Sequence, residues 1–352
     1  MCSISSSLTC LALGLPAFRT APAQTMPNHK PIAGRAGNLR SITFANRPNY
    51  SFTYMLFFSR ITTVCTAAVA TGFLLTASVP DPELFKARVF TPANGFTNGV
   101  EGPAVDKAGT IYAVNFAKEG TIGQITPGGQ ASLFVELPAG SVGNGIRFNK
   151  AGDMFIADYP KHNILRISKG TKTVTVFAHE SRMNQPNDVA IDDKGRLYAS
   201  DPNWKENTGN IWRIDPDGKV SRLEANMGTT NGIEVSPDNK TLYVNESVQR
   251  NVWAYDLSPS GMVSNKRLLI RFPDFGMDGM RCDKAGNLYI ARYDKGTVVK
   301  VSPQGKVLQE IILTGKKPTN VTFGGKDNRL VYVTLQDQGN LEVFRADVPG
   351  RQ

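Results

Sequence analysis

Six stretches of this chain repeat one pattern at nearly constant spacing, and that periodicity restricts the fold more than any other feature. They open at Glu101, Asn144, Asn187, Asn231, Asp278 and Asn320, at intervals of 43, 43, 44, 47 and 42 residues. Each unit joins two alternating apolar runs through a turn rich in Gly, Asn and Asp, as in EGPAVDKAGTIYAVN and NGIEVSPDNKTLYVN. A period in the low forties with strand–turn–strand content signals one propeller blade per repeat. The expected fold is all-β, a six-bladed β-propeller.

The fourth unit shows the expected strands best, as Asn231–Pro237, Lys240–Glu246, Asn251–Leu257 and Lys266–Phe272. Its first turn is Asp238-Asn239, and other units use Ala108-Gly109, Ala151-Gly152, Lys194-Gly195 and Ala285-Gly286. Gly or Asn there supplies the positive φ of a tight hairpin. The sixth unit lacks a fourth strand, whereas Leu84–Phe90 reads as a strand without a unit. That strand is expected to complete the last blade and close the ring, removing exposed edges.

Residues 81–352 therefore read as one propeller domain, and residues 1–80 as a leader. The leader carries Arg19, Lys30, Arg35, Arg40, Arg47 and Arg60 but no acidic residue, so the net charge of +10 falls to +4 without it. The remaining Lys and Arg are scattered over blade turns, which excludes a phosphate-binding cluster and gives no expectation of nucleic-acid binding. From Met55 the leader resembles a signal peptide, with a basic start at Arg60, an apolar run 61–75 and small residues Thr76-Ala77-Ser78. Residues 1–54 then read as an over-long start, or alternatively as a Ser/Arg-rich transit segment. The expected location is periplasmic or secreted, with no stable membrane insertion once the leader is removed. A membrane anchor over 61–75 is the alternative, although that run is short for a spanning helix. Cys2, Cys10 and Cys65 lie in the leader and Cys282 falls at a core position, so no disulfide and no zinc site of the usual Cys/His type is expected.

In a propeller the first strand of each blade lines the central channel, so the six opening residues converge at one mouth. A set of carboxylate and amide oxygens without His or Cys suits a hard divalent cation, Ca²⁺ ahead of Mg²⁺. The competing explanation is that Asn and Asp-Gly merely end loops. His162 and His179 open no inner strand, and no GxSxG elbow is present.

Four blocks narrow the reading: Glu101-Gly-Pro, Arg182-Met-Asn184-Gln-Pro-Asn187-Asp188, Asn231-Gly-Ile with Ser236-Pro-Asp238, and Asp278-Gly-Met. In order and spacing they resemble the senescence-marker-protein/gluconolactonase/luciferin-regenerating-enzyme family of six-bladed propellers, over roughly Leu84 to the C-terminus. The resemblance implies one catalytic divalent cation, Ca²⁺ first, with Mg²⁺ or Zn²⁺ as alternatives. Its implied ligands are Glu101, Asn231 and Asp278, with Asn187 at or beside the metal. Asn184, Arg182 and Asn187 are implied substrate contacts, and Asn144 is a further candidate. Asp278 is implied as general base or nucleophile, and Asp201-Pro-Asn203-Trp204 as rim support. The implied activity is hydrolysis of a small-molecule lactone, gluconolactonase-like. Two alternatives are a non-catalytic exported propeller that binds a ligand or protein, and an organophosphate or ester hydrolase on the same metal. Oligomeric state is left open.

Overall fold

The computed structural model describes residues 81–351; the expected start at Met55, cleavage near Ser78 and the anchor alternative lie outside the described residues. The described chain forms six four-stranded antiparallel sheets. Their innermost strands are Ala104–Val105, Gly143–Phe148, Val189–Ile191, Thr230–Val235, Met280–Cys282 and Pro318–Gly324. In each of the first five blades the chain runs outward strand by strand, and neighbouring inner strands touch all the way round, the sixth against the first. Among the described residues the only helical element is one 3-10 turn, Tyr159–Lys161.

Local sequence explains the hairpins. The Oδ1 of Asp106 accepts from the backbone N–H of Ala108 at 2.9 Å and Thr110 at 3.0 Å, and Asp283 does the same for Ala285 and Asn287 at 2.9 Å each. The residue that reverses the chain has positive φ, 87° at Gly109 and 60° at Asn239. Side chains that bond their own turn backbone favour this geometry over continued strand.

The sixth blade closes as the sequence implies. Its fourth strand is Arg88–Val89, antiparallel to the strand Asn340–Arg345 with Arg88 opposite Val343 and Val89 opposite Glu342. Regular pairing is shorter than Leu84–Phe90, because Leu84 meets Arg345 in a parallel bridge instead. Beyond the pair, the N–H groups of Phe90 and Thr91 both reach Leu341 O, at 2.9 and 3.1 Å.

The apolar core lies between blades. Ala104, Tyr112 and Val114 of the first blade pack on Ile146, Met154, Ile156 and Leu165 of the second, and Cys282 is buried against Tyr243 and Val252 of the preceding blade. Burying one such large side chain stabilises the fold by about 1.5–3 kcal/mol. With the apolar groups used between blades, the ring axis is left to polar side chains.

Candidate functional site

The opening residues converge because the inner strands approach one another closely at one end. A Cβ on Gly279 would fall 1.9 Å from Asn320 Cγ, and one on Gly102 would fall 2.0 Å from the Asn144 carbonyl oxygen. Only glycine fits between these neighbours. Backbone bonds then lock the seams, Gly145 N–H to Asn187 O at 2.8 Å and Gly279 N–H to Thr319 O at 2.7 Å. The glycine after the opening residue therefore serves ring packing at Glu101 and Asp278, and of the two only Gly102, at φ 58°, also needs the left-handed region.

At this mouth lies a cavity of about 670 Å³ whose walls include Glu101, Asn144, Asn187, Asn231 and Asp278. Asn320, the sixth opening residue, is fully buried beside it and donates from Nδ2 to Glu101 Oε2 at 3.0 Å. The Gly102 N–H also donates to Glu101 Oε2, which leaves Oε1 buried and unpartnered. Asn231 is oriented comparably: Nδ2 donates to Ser247 Oγ at 3.0 Å, and that hydroxyl donates onward to the Met277 carbonyl. Asn231 Oδ1 and Asn187 Oδ1 are likewise buried without a partner. Asn245 Nδ2 fixes the Asp278 carbonyl at 2.6 Å.

Unpartnered buried polar oxygens cost stability unless something occupies them. Here three such oxygens and the Asp278 carboxylate surround one mouth, a donor set of two carboxylates and two amides that fits a hard divalent cation. Among the described residues no three His, Cys, Asp or Glu side chains gather as a metal cluster; at this mouth amides take the places acids would fill. The electrostatics agree. Burial pushes the Glu101 carboxyl up to about 7, and burial plus the neighbouring Glu101 charge raises Asp278 well above the usual carboxylate range. Without a cation the site resists carrying both negative charges.

Below the mouth, the channel holds a second layer. Arg281 Nη1 meets Asp188 Oδ2 at 2.9 Å, while Arg147 bridges Asp188 at 3.8 Å and Glu234 at 3.3 Å. Arg351, near the C-terminus, reaches Glu234 at 3.3 Å and the Ile191 carbonyl at 2.9 Å. The sequence reading missed this layer. Its signal was present in Arg147, Glu234 and Arg281, each three residues after an opening Asn or Asp on an otherwise apolar inner strand.

Asn184 and Arg182 stand apart from the predicted cluster. Neither lines the cavity, whereas Gln185 does. Asp201 explains why: its Oδ1 accepts from the N–H groups of Asn184 and Gln185 at 2.7 Å each, and its Oδ2 from Trp212 Nε1 at 2.8 Å. Asn184 Nδ2 turns toward the same carboxylate at 3.4 Å. The exposed Arg182 forks onto Glu180 at 2.8 and 2.7 Å, hydrogen bonds that hold the Glu180 carboxyl down to about 2. Asp201 thus anchors the segment that delivers Asn187, and Trp204 forms part of the cavity wall. His179 Nδ1 lies 2.8 Å from Asn163 Oδ1 on the outer part of its blade, and neither it nor His162 lines the cavity.

Comparison with known proteins adds identity to this geometry. The gluconolactonase of Zymomonas mobilis is 29% identical over 266 residues, 65% of this chain and 74% of that protein. The regucalcin of Xenopus laevis is 31% identical over 230 residues, 62% of this chain and 76% of that protein. Among solved structures, a calcium-binding protein, regucalcin, from Agrobacterium tumefaciens shares the fold with a TM-score of 0.64 at 22% identity, covering 75% of this chain and 97% of that one. Residues 100–337 match the model of the SMP-30/Gluconolactonase/LRE-like region. With that match spanning most of the described ring, the chain belongs to the SMP-30/gluconolactonase/LRE-like family.

Proposed function

We propose that this protein is a metal-dependent lactonase that opens a lactone ring by hydrolysis at the channel mouth. The three unpartnered oxygens, Glu101 Oε1, Asn187 Oδ1 and Asn231 Oδ1, beside the Asp278 carboxylate, support this reading most directly. The relatives support it too: the name gluconolactonase points to sugar lactones, and the Agrobacterium regucalcin, a calcium-binding protein, points to Ca²⁺.

Glu101, Asn187, Asn231 and Asp278 would hold one divalent cation, Ca²⁺ first. When bound, that ion supplies positive charge for the lactone oxygen on which negative charge develops. The chain's own groups do the rest. Asn320 and the Gly102 N–H hold Glu101 so that Oε1 remains free, and Ser247 holds the Asn231 amide so that Oδ1 remains free. Asp278 acts as the general base, taking a proton at its carboxylate from the water that attacks the ring carbonyl and returning it to the ring oxygen as the lactone C–O bond breaks. Asn144, Asn187 and Gln185 on the cavity wall supply donors and acceptors for substrate oxygens, while Asp201 fixes the segment carrying Asn184 and Asn187. We further propose that residues 1–80 are a leader removed on export.

The test is proton release from D-glucono-δ-lactone with Ca²⁺ and with chelator. Calcium-dependent turnover that Asp278→Asn abolishes supports the reading; equal rates in chelator overturn it.

A further inference from the structure

The rim above the proposed metal site is two-sided. Tyr159, Trp204, Val248, Phe275 and Tyr293 line the cavity from loops of the second to fifth blades, consecutive around the ring. Across from them, Asn98, Asn115, Glu119 and Gln336 come from loops of the sixth and first blades. One arc therefore carries the aromatic and aliphatic side chains, with Arg250 and Asp294 among them, while the other is polar.

The apolar arc is open to solvent. Trp204 is 44% exposed, Val248 51% and Phe275 47%. Among the described residues, the other exposed large apolar side chains, such as Leu133, Val176 and Ile312, lie on or next to the outermost strands. Of the exposed large apolar side chains among the described residues, Trp204, Val248 and Phe275 alone line the cavity. Phe275 sits at φ 42°, a backbone region that a bulky side chain occupies only at some cost.

The size of the cavity points the same way. At about 670 Å³ it matches sites that enclose a drug-sized ligand, with room for roughly twenty waters at about 30 Å³ each. A monocyclic sugar lactone seated on the polar floor leaves most of the apolar arc wet. One aromatic ring suffices to stack on the C–H face of a sugar; an aliphatic Val248 and a second ring in Phe275 exceed that need.

We propose that the preferred substrates are lactones with a hydrocarbon substituent on the ring, the ring at the floor and the substituent over Trp204, Val248 and Phe275. This rests on the lactonase reading above and names the substrate class of that same site. Each methylene that the arc buries should raise specificity by about fourfold until the arc is covered.

The test uses the full-length protein with Ca²⁺ and the γ-lactone series from γ-butyrolactone to γ-decanolactone, with D-glucono-δ-lactone as reference. kcat/KM is expected to rise with chain length, and that slope to flatten in a Trp204→Ser/Phe275→Ser variant. Both residues are exposed, so the variant should melt close to wild type. If glucono-lactone turns over but kcat/KM does not rise with chain length, the substrate inference is overturned while the lactonase reading stands. If no lactone is hydrolysed, the lactonase reading fails, and calorimetric binding of the matching γ-alkyl lactams decides the inference separately. Affinity rising with chain length and flattened in the variant supports it; affinity independent of chain length overturns it.

Discussion

Asn320 Nδ2 donates to Glu101 Oε2 at 3.0 Å, joining the last blade to the first at the point where the ring closes. Asn320 Oδ1 accepts from the Val321 N–H at 2.8 Å, so the amide cannot turn away. One residue thus ties the geometry of a proposed metal ligand to the closure of the fold.

Asn320→Ala should therefore weaken Ca²⁺ binding through Glu101 without removing a ligand. Losing an orienting hydrogen bond of this kind typically costs 10–100-fold in metal affinity. Calorimetric titration of both proteins checks it; an unchanged dissociation constant refutes the orienting role.

Asp278→Asn keeps the shape and one oxygen but removes a negative charge and the base. Metal affinity should fall, and turnover at saturating Ca²⁺ should fall by at least about 10²-fold. Glu101→Gln should chiefly weaken metal binding, so excess Ca²⁺ should restore more of its turnover. Metal content measured beside lactone turnover separates the two, and equal rescue of both variants would count against Asp278 as base.

Acid–base behaviour gives an independent check. Burial raises Glu101 from an ordinary 4.5 to about 7, and Asp278 shifts in the same direction. The metal-free folded state then keeps protons that the unfolded chain has released. Its stability should fall as pH climbs from about 4.5 to about 7, the sign expected for raised acid pKa values. Added Ca²⁺ favours the ionised forms, so it should raise the melting temperature more at about pH 7.5 than at about pH 5.5. Thermal melts in chelator that become more stable across this window would contradict the assignment.

Ring closure predicts a sharp boundary for truncation. Arg88 and Val89 pair with Val343 and Glu342, so removing residues 1–80 should leave a cooperatively folding domain. Removing residues 1–92 exposes the edge of the strand Asn340–Arg345 and should abolish cooperative melting. A well-folded 93–352 chain argues against closure as a source of stability.

Export is tested by the mature N-terminus. Protein recovered from the secreted or periplasmic fraction should begin near Ser78–Asp81. Met1 retained on cytosolic protein would exclude the signal-peptide reading.

Much of this architecture was legible in the sequence because propeller blades are local. Each hairpin closes within about ten residues, and Asp106, Asp283 and their equivalents set its turn through their own backbone neighbours. Six copies at nearly fixed spacing then required a ring. Glu101, Asn144, Asn187, Asn231 and Asp278 could be gathered from sequence because equivalent places in a ring are neighbours whatever their separation along the chain.

Three matters depended on tertiary contacts. Asn320 looks like the other opening residues, yet it supports Glu101 and does not line the cavity, because Gly279 lets it press against the fifth blade. Asn184 lies in a block that resembles the family's pocket, but Asp201, seventeen residues on, draws it aside. The charged layer of Asp188, Arg147, Arg281, Glu234 and Arg351 joins residues from several blades and the C-terminal tail. Strand periodicity says which face of a strand is buried, but not which charges meet across the axis; that is fixed only when all six blades are in place.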